Sequence, residues 1–243
     1  MSSLRALVLC GEGINCETET AYALKTAGFA VEVSTINELI QAQFSQEQLQ
    51  KNYQLFALPG GFSYGDELGS GRVLAIKIKR ALKLDLNRFA LNGGMVLGVC
   101  NGFQALIRLG VFGQNLTITR NSTHQFIDRW VELGAVKQNS SPWLKGIEQI
   151  QLPIRHGEGR LVAVQKTSAL AAEFLPALQY LHDVNGSVDQ LAGITDSSLR
   201  IFGLMPHPEA FVRWTQNPLW TEQKGQGLGL SFFSNAYSAL KEG

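Results

Sequence analysis

Residues 95–103 read MVLGVCNGF, a short apolar run that delivers a cysteine held between two glycines. A continuous apolar run bounded by turn residues reads as a strand buried on both faces, and residues 102–109 carry helical spacing directly after it. A strand that passes into a helix through Gly98-Val99-Cys100-Asn101-Gly102 has the form G-x-nucleophile-x-G. In that form a sharp turn exposes the central side chain and small neighbours relieve the crowding. Random placement of 3 cysteines and 25 glycines in 243 residues gives roughly 0.03 such matches, so chance does not account for it. At this position Cys100 feels a helix amino terminus, which favours thiolate. The motif alone leaves a second reading open, a small thiol packed as a hydrophobe.

The alternation seen around Cys100 extends outward. The run RALVLC reads as a strand ending in the loop GEGINC, residues 18–27 as a helix closed by Gly28, and AVEVS as a second strand. Ser45 and Gln48 form a capping box ahead of another short helix. LFALPGG is a buried strand running into glycines, and residues 72–84 have helical apolar spacing. Apolar strands separated by helices are what a parallel sheet covered on both faces requires. The second half differs: NLTITRN, HQFIDRWVEL, EQIQLPIRHGEGRLVAV and RIFGLM read as strands joined by turns, with few helices before LGLSFFSNAYSAL. No repeat, low-complexity tract or linker divides the halves. The expected fold is α/β, a mostly parallel open sheet with helices on both faces plus antiparallel strand additions, in one domain over residues 1–243.

Composition is consistent with this. A chain of 243 residues with 45% hydrophobic content buries a full core. The formal net charge of +1 and the lack of a long basic block exclude a protein built around nucleic-acid phosphates. There is no basic leader and no apolar run of spanning length, so a cytoplasmic protein without membrane partners is expected. Cys10, Cys16 and Cys100 cannot all pair within one chain and do not resemble a disulfide framework, so reduced thiols are expected.

In an open α/β sheet, ligands sit outside the carboxyl ends of the strands. A nucleophile there needs a base, and the histidines are His124, His156, His182 and His207. His207 follows a strand in GLMPHPEAF, and its flanking prolines keep the chain out of helix, so His207 and Glu209 project to the same side. A carboxylate beside an imidazole fixes its tautomer and stabilises its charge. Cys100, His207 and Glu209 thus make a nucleophile, base and orienter. His156 is a rival base, but the carboxylate two residues on, Glu158, lies across the flexible Gly157. Gly61, in LPGG, and Asn101, directly after the nucleophile, are candidate N–H donors to an oxyanion; the double glycine equally suits a plain turn. Gln104, one helical turn past Cys100, either contacts substrate or is solvated. Gly157 and Glu158 either offer backbone groups to substrate or simply turn the chain. Lys77, Lys79, Arg80 and Lys83 read first as a solvated helix face and second as a docking surface. GEGINC has the outline of a dinucleotide loop, but Cys16 stands where the third glycine belongs.

Taken together, GVCNGFQAL, PGGFSYGD, PIRHGEGR and FGLMPHPEA resemble the class I, or triad-type, glutamine amidotransferases. GGFSYGD, RNSTHQFIDRW, HGEGR and NGSVDQLAGI narrow the resemblance to the glutaminase components of phosphoribosylformylglycinamidine synthases, and it covers nearly the whole chain. The resemblance implies a flavodoxin-like fold of that class. It also implies Cys100 as nucleophile, His207 as acid-base residue and Glu209 as its orienter. L-glutamine is the implied substrate, with Gln104, Gly157 and Glu158 as candidate contacts. No metal or cofactor is implied in this chain; ATP and Mg2+ are expected on a separate synthetase partner, which receives the ammonia. Free-standing versions resemble subunits of a larger complex, sometimes with a small third subunit, and a chain running from Met1 to Gly243 is expected to be free-standing. The rival reading is a binding module on the same fold with an inert or redox-sensing Cys100.

Overall fold

The computed structural model describes residues 3–65 and 68–242; Asp66 of GGFSYGD, with Glu67, lies outside them. The strands are β1 (Arg5–Cys10), β2 (Ala30–Thr35), β3 (Leu55–Leu58), β4 (Met95–Val99), β5 (Leu116–Arg120), β6 (Ile127–Ala135), β7 (Gln149–His156), β8 (Glu158–Ala163), β9 (Phe174–Tyr180), β10 (Leu191–Asp196) and β11 (Ile201–Leu204). The helices are α1 (Glu17–Ala27), α2 (Ile36–Gln41), α3 (Gln46–Asn52), α4 (Arg72–Ile76), α5 (Leu86–Leu91), α6 (Asn101–Leu109) and α7 (Leu230–Glu242).

Among the described residues, nine strands form one sheet in the order β2-β1-β3-β4-β11-β10-β9-β6-β7. The pairings from β2 to β11 are parallel and those from β11 to β7 antiparallel. This is an α/β core with antiparallel strands added along one side. β3, β4 and β11 are buried along their whole length, which explains why they read as unbroken apolar runs rather than alternating ones. Each fully buried Leu or Phe there contributes about 1.5–3 kcal/mol, so the centre of the sheet is a stiff platform. The carboxyl ends of β1, β3, β4 and β11 lie at one sheet end, and the loops they feed meet in the crevice where an open α/β sheet binds ligands.

Local chemistry sets most helix ends. Gly28 closes α1 at φ 113°, a left-handed geometry that glycine adopts without cost. The Ser45 hydroxyl accepts from the Gln48 N–H, and the Gln48 side chain accepts from the Ser45 N–H, completing the expected box before α3. The helix expected over residues 72–84 departs from expectation. It is α-helical only to Ile76, continues as a π-helical turn over Lys77–Leu82, and ends at Lys83 in the left-handed region. Besides Ala75, its buried residues Leu74, Ile78 and Leu82 recur every four positions, longer than the 3.6 period, and the wider turn keeps these three on one face. Lys79, Arg80 and Lys83 are exposed, whereas Lys77 is half-buried with its Nζ 4.6 Å from the Tyr64 ring centre.

The stretch expected as a strand-turn-strand at HGEGR also differs. β7 joins the large sheet beside β6, while β8 pairs with β5 in a separate two-stranded sheet. Gly157 is the single residue between them, so it marks where the chain leaves one sheet for another rather than a hairpin.

Candidate active site

Cys100 is the residue between β4 and α6. Its backbone sits at φ 47°, ψ −104°, a conformation that costs a non-glycine residue on the order of 1–3 kcal/mol. The surroundings hold it there. The Cys100 N–H donates to Leu204 O at 2.8 Å, tying the turn to β11. A Cβ on Gly102 would lie 1.8 Å from Leu58 O, and one on Gly98 would lie 2.5 Å from Leu106 Cδ1. Gly102 is therefore required for α6 to close onto β3, and a side chain at Gly98 would displace Leu106 and press on the Gly102 carbonyl at 3.0 Å. The thiol is buried, and its Sγ lies 3.6 Å from Arg155 O.

His207 reaches this thiol because β11 runs parallel to β4, with Leu204 opposite Val99, so both chains turn at the same sheet end. The His207 N–H donates to Pro153 O at 2.9 Å. The chain here is not kept out of helix as expected: Pro208 takes the first position of a short 3-10 turn, Pro208–Phe211, where its missing N–H costs nothing, and this turn rather than an extended segment brings Glu209 back beside the ring. Glu209 Oε1 lies 2.6 Å from His207 Nδ1 with both side chains buried. That contact places a proton on Nδ1, while Nε2 is buried and has no partner among the described residues. Burial opposes charge on the ring, but the Glu209 carboxylate, with Cys100 second, outweighs it and holds the His207 pKa well above the ordinary imidazole value. Gly60 is the floor of the pair: a Cβ there would stand 2.6 Å from His207 Cε1 and 3.4 Å from Cys100 Cβ.

Gly61, at φ 144°, forms an isolated bridge to Ile14. That bridge uses the Gly60 carbonyl and the Phe62 N–H, which donates to Gly13 O, and leaves the Gly61 N–H out of the pairing. Asn101 is the first residue of α6, so its N–H has no acceptor within the helix. Its buried side chain starts a relay. Asn101 Oδ1 accepts from the Ser63 N–H at 3.1 Å, Asn101 Nδ2 donates to Gln104 Oε1 at 2.9 Å, and Gln104 Nε2 donates to Glu158 O at 2.5 Å. Gln104 is thus buried rather than solvated, with both ends of its amide engaged by protein. Glu158 Oε2 also accepts from the Ser70 N–H at 3.3 Å, and the Gly157 carbonyl accepts from the Asn121 N–H. The loop after β3, the start of α6 and the β7–β8 junction are joined in one network.

A cavity of about 100 Å3 opens onto Cys100, Gly61 and His207. It is also lined by Cys16, Arg155, Phe62 and Phe126, none of which the sequence reading marked as a site residue. Phe62 and Phe126 come from distant loops, with ring centres 6.1 Å apart at the mouth. The sequence placed Phe62 in the loop after LFALPGG but read Phe126 inside a strand, whereas it lies just before β6. A larger surface hollow of about 1260 Å3, over residues such as Val136 and Gln179, holds none of the candidate side chains. His156 is in the core of this region, but burial first and the neighbouring His207 second push its pKa down to about 3, so it is neutral and a poor proton acceptor. Its Nδ1 bonds Asn121 Oδ1 at 3.0 Å. A cysteine beside an imidazole–carboxylate pair, with two N–H groups near it, is equipped for acyl transfer.

The family of CobB/CobQ-like glutamine amidotransferase domains matches residues 3–238. The chain is similar to a phosphoribosylformylglycinamidine synthase subunit PurQ of Dehalococcoides mccartyi, 39% identical over 97% of each chain. It is also similar to that of Thermotoga maritima, 36% identical over 86% of this chain and 88% of the relative. Among solved structures, a chain of PurLQS from Thermotoga maritima superposes with a TM-score of 0.77, 33% identity and coverage of 98% and 99%. A glutamine amidotransferase from the same organism shares the fold alone, at TM-score 0.54, 16% identity and coverage of 100% and 95%.

Proposed function

The chain belongs to the CobB/CobQ-like glutamine amidotransferase family, among the PurQ subunits of phosphoribosylformylglycinamidine synthase, and from that premise we propose that Cys100, His207 and Glu209 carry its glutaminase chemistry. The protein hydrolyses glutamine to glutamate and ammonia for a synthetase subunit, which makes formylglycinamidine ribonucleotide from formylglycinamide ribonucleotide and ATP. In the proposed mechanism the Cys100 thiolate attacks the side-chain amide carbon of glutamine. The Gly61 and Asn101 N–H groups receive the developing oxyanion. His207, held charged by Glu209, gives its proton to the departing ammonia and then takes one from water as the glutamyl thioester is hydrolysed. Gln104 supports the α6 end of the pocket through its relay, with the Gly157 and Glu158 backbone at the substrate's far end. Residues 1–243 act as one glutaminase domain in the cytoplasm. ATP and Mg2+ belong to the synthetase, and a small third subunit completes the assembly.

The observation that supports this most is the packing over Gly60, where one added carbon would touch both the His207 ring and Cys100. Enclosure also suits the product, since ammonia released into bulk water is protonated and lost. A glutamine-mimicking electrophile tests the reading: it is expected to label Cys100 alone, with glutamine protecting. Labelling of Cys10 or Cys16 instead would refute it.

A further inference from the structure

The His207–Glu209 pair has a third close neighbour to which glutamine hydrolysis assigns no step. Cys16 is buried directly before α1, in the loop after β1, and its Sγ lies 4.0 Å from His207 Nδ1. The ligand-capable atoms of Cys16, His207 and Glu209 all lie within 4.8 Å of one another. The second carboxylate oxygen, Glu209 Oε2, is buried without a partner among the described residues. Sulfur, imidazole nitrogen and carboxylate oxygen together form a donor set suited to zinc, whereas Mg2+ and Ca2+ select oxygen sets. We propose that Cys16, His207 and Glu209 bind a thiophilic divalent cation, zinc, and that its capture silences the glutaminase.

The geometry admits the ion. Zn–S of about 2.3 Å and Zn–N of about 2.0–2.1 Å sum to about 4.4 Å, longer than the 4.0 Å between Sγ and Nδ1, so an ion fits between them at a bent angle. The proton shared by His207 Nδ1 and Glu209 Oε1 leaves, and the carboxylate turns an oxygen to the metal. The Cys16 thiol loses its proton as well. Both protons go to solvent and no electron moves. Thiolate and carboxylate together balance the two charges of the ion, so the buried cluster is neutral. The fourth position faces the cavity that both Cys16 and His207 line, where water completes the tetrahedron. With Nδ1 metallated, His207 loses the carboxylate bond that orients it. The binding half of the inference stands on these three residues alone, and the silencing half rests on the catalytic reading given above.

Cobalt(II) added to the reduced full chain serves as a spectroscopic probe. One Co2+ per chain is expected, with a sulfur-to-cobalt charge-transfer band that survives Cys10→Ser and Cys100→Ser and is lost in Cys16→Ser. Glu209→Gln is expected to weaken binding at least about tenfold. A band that survives Cys16→Ser or disappears in Cys100→Ser, or the lack of stoichiometric cobalt, overturns the site. Alkylation of the native wild-type chain gives a readout independent of how the variants fold. Zinc is expected to slow labelling of Cys16 at least about tenfold and to leave Cys10 unchanged; equal labelling of Cys16 with and without zinc overturns the site. Zinc held at Cys16 with glutamine hydrolysis undiminished would overturn the silencing and, with it, the role of His207. Failure of zinc to bind overturns the site and leaves that role standing.

Discussion

Gly60→Ala adds one carbon beneath the imidazole and nothing else. Gly60 has no left-handed φ, so alanine brings no backbone strain, and the whole effect comes from contact. The new Cβ stands 2.6 Å from His207 Cε1 and 3.4 Å from Cys100 Cβ. Carbon atoms settle at about 3.5–4.0 Å, so the ring must retreat by about 1 Å. It is not free to do so, since Nδ1 is held on Glu209 at 2.6 Å and the His207 N–H on Pro153 O at 2.9 Å. A misplacement of about 1 Å at a reacting centre costs about a hundredfold in rate, or about 2.7 kcal/mol of barrier. The assay is glutamate release at saturating glutamine in the reconstituted complex, with ammonia-dependent synthesis as a control for folding and docking. We expect kcat for glutamine to fall about a hundredfold while the ammonia-dependent rate is kept. A folded Gly60→Ala complex with kcat within about threefold of wild type would refute the placement of His207 over Gly60.

Asn101→Ala removes the acceptor of the buried Ser63 N–H and the donor to Gln104. It should cost about 1–3 kcal/mol in urea unfolding, while Asn37→Ala on the exposed face of α2 should change stability by no more than about 0.5 kcal/mol; equal effects would contradict the relay. His207 has a native pKa raised above its unfolded value, so its charge stabilises the fold in full below about pH 6.5 and the contribution is lost as pH rises through the native pKa. Urea unfolding of wild type and His207→Gln should therefore show a stability gap that is widest below about pH 6.5 and narrows upward. A gap that widens with pH would contradict the ion pair.

Much of this was legible in the sequence because certain backbone shapes demand certain residues. The turn at Cys100 cannot close with a side chain at Gly102 and is crowded by one at Gly98, so the motif and the geometry are one fact. Ser45 with Gln48, and Gly28, likewise sit at helix ends that need them. Spacing served less well over Lys77–Leu82 after α4, where a repeat of four lies close enough to the helical period of about 3.6 to read as an ordinary helix although the turn is π-helical. It also failed for β9, whose Pro176 interrupts the pattern, and for the parting of β7 and β8 at Gly157, since which sheet a strand joins depends on partners far away in the chain. At the site, His207 and Glu209 were readable as a pair, but a 3-10 turn joins them and not the extended chain that their separation of two residues implied. Cys16 was not, because only the meeting of the β1 and β11 loops brings it within 4.0 Å of His207 Nδ1. Phe62 and Phe126 join the cavity mouth through the same kind of distant contact.

The central claim is that one thiol at the β4–α6 turn does the glutamine chemistry. Cys100→Ala in the reconstituted complex addresses it most directly, by measuring formylglycinamidine ribonucleotide made from glutamine and from ammonia side by side. The account predicts that glutamine-dependent synthesis falls at least about a thousandfold while ammonia-dependent synthesis is unchanged. Glutamine-dependent synthesis at the wild-type rate would contradict it.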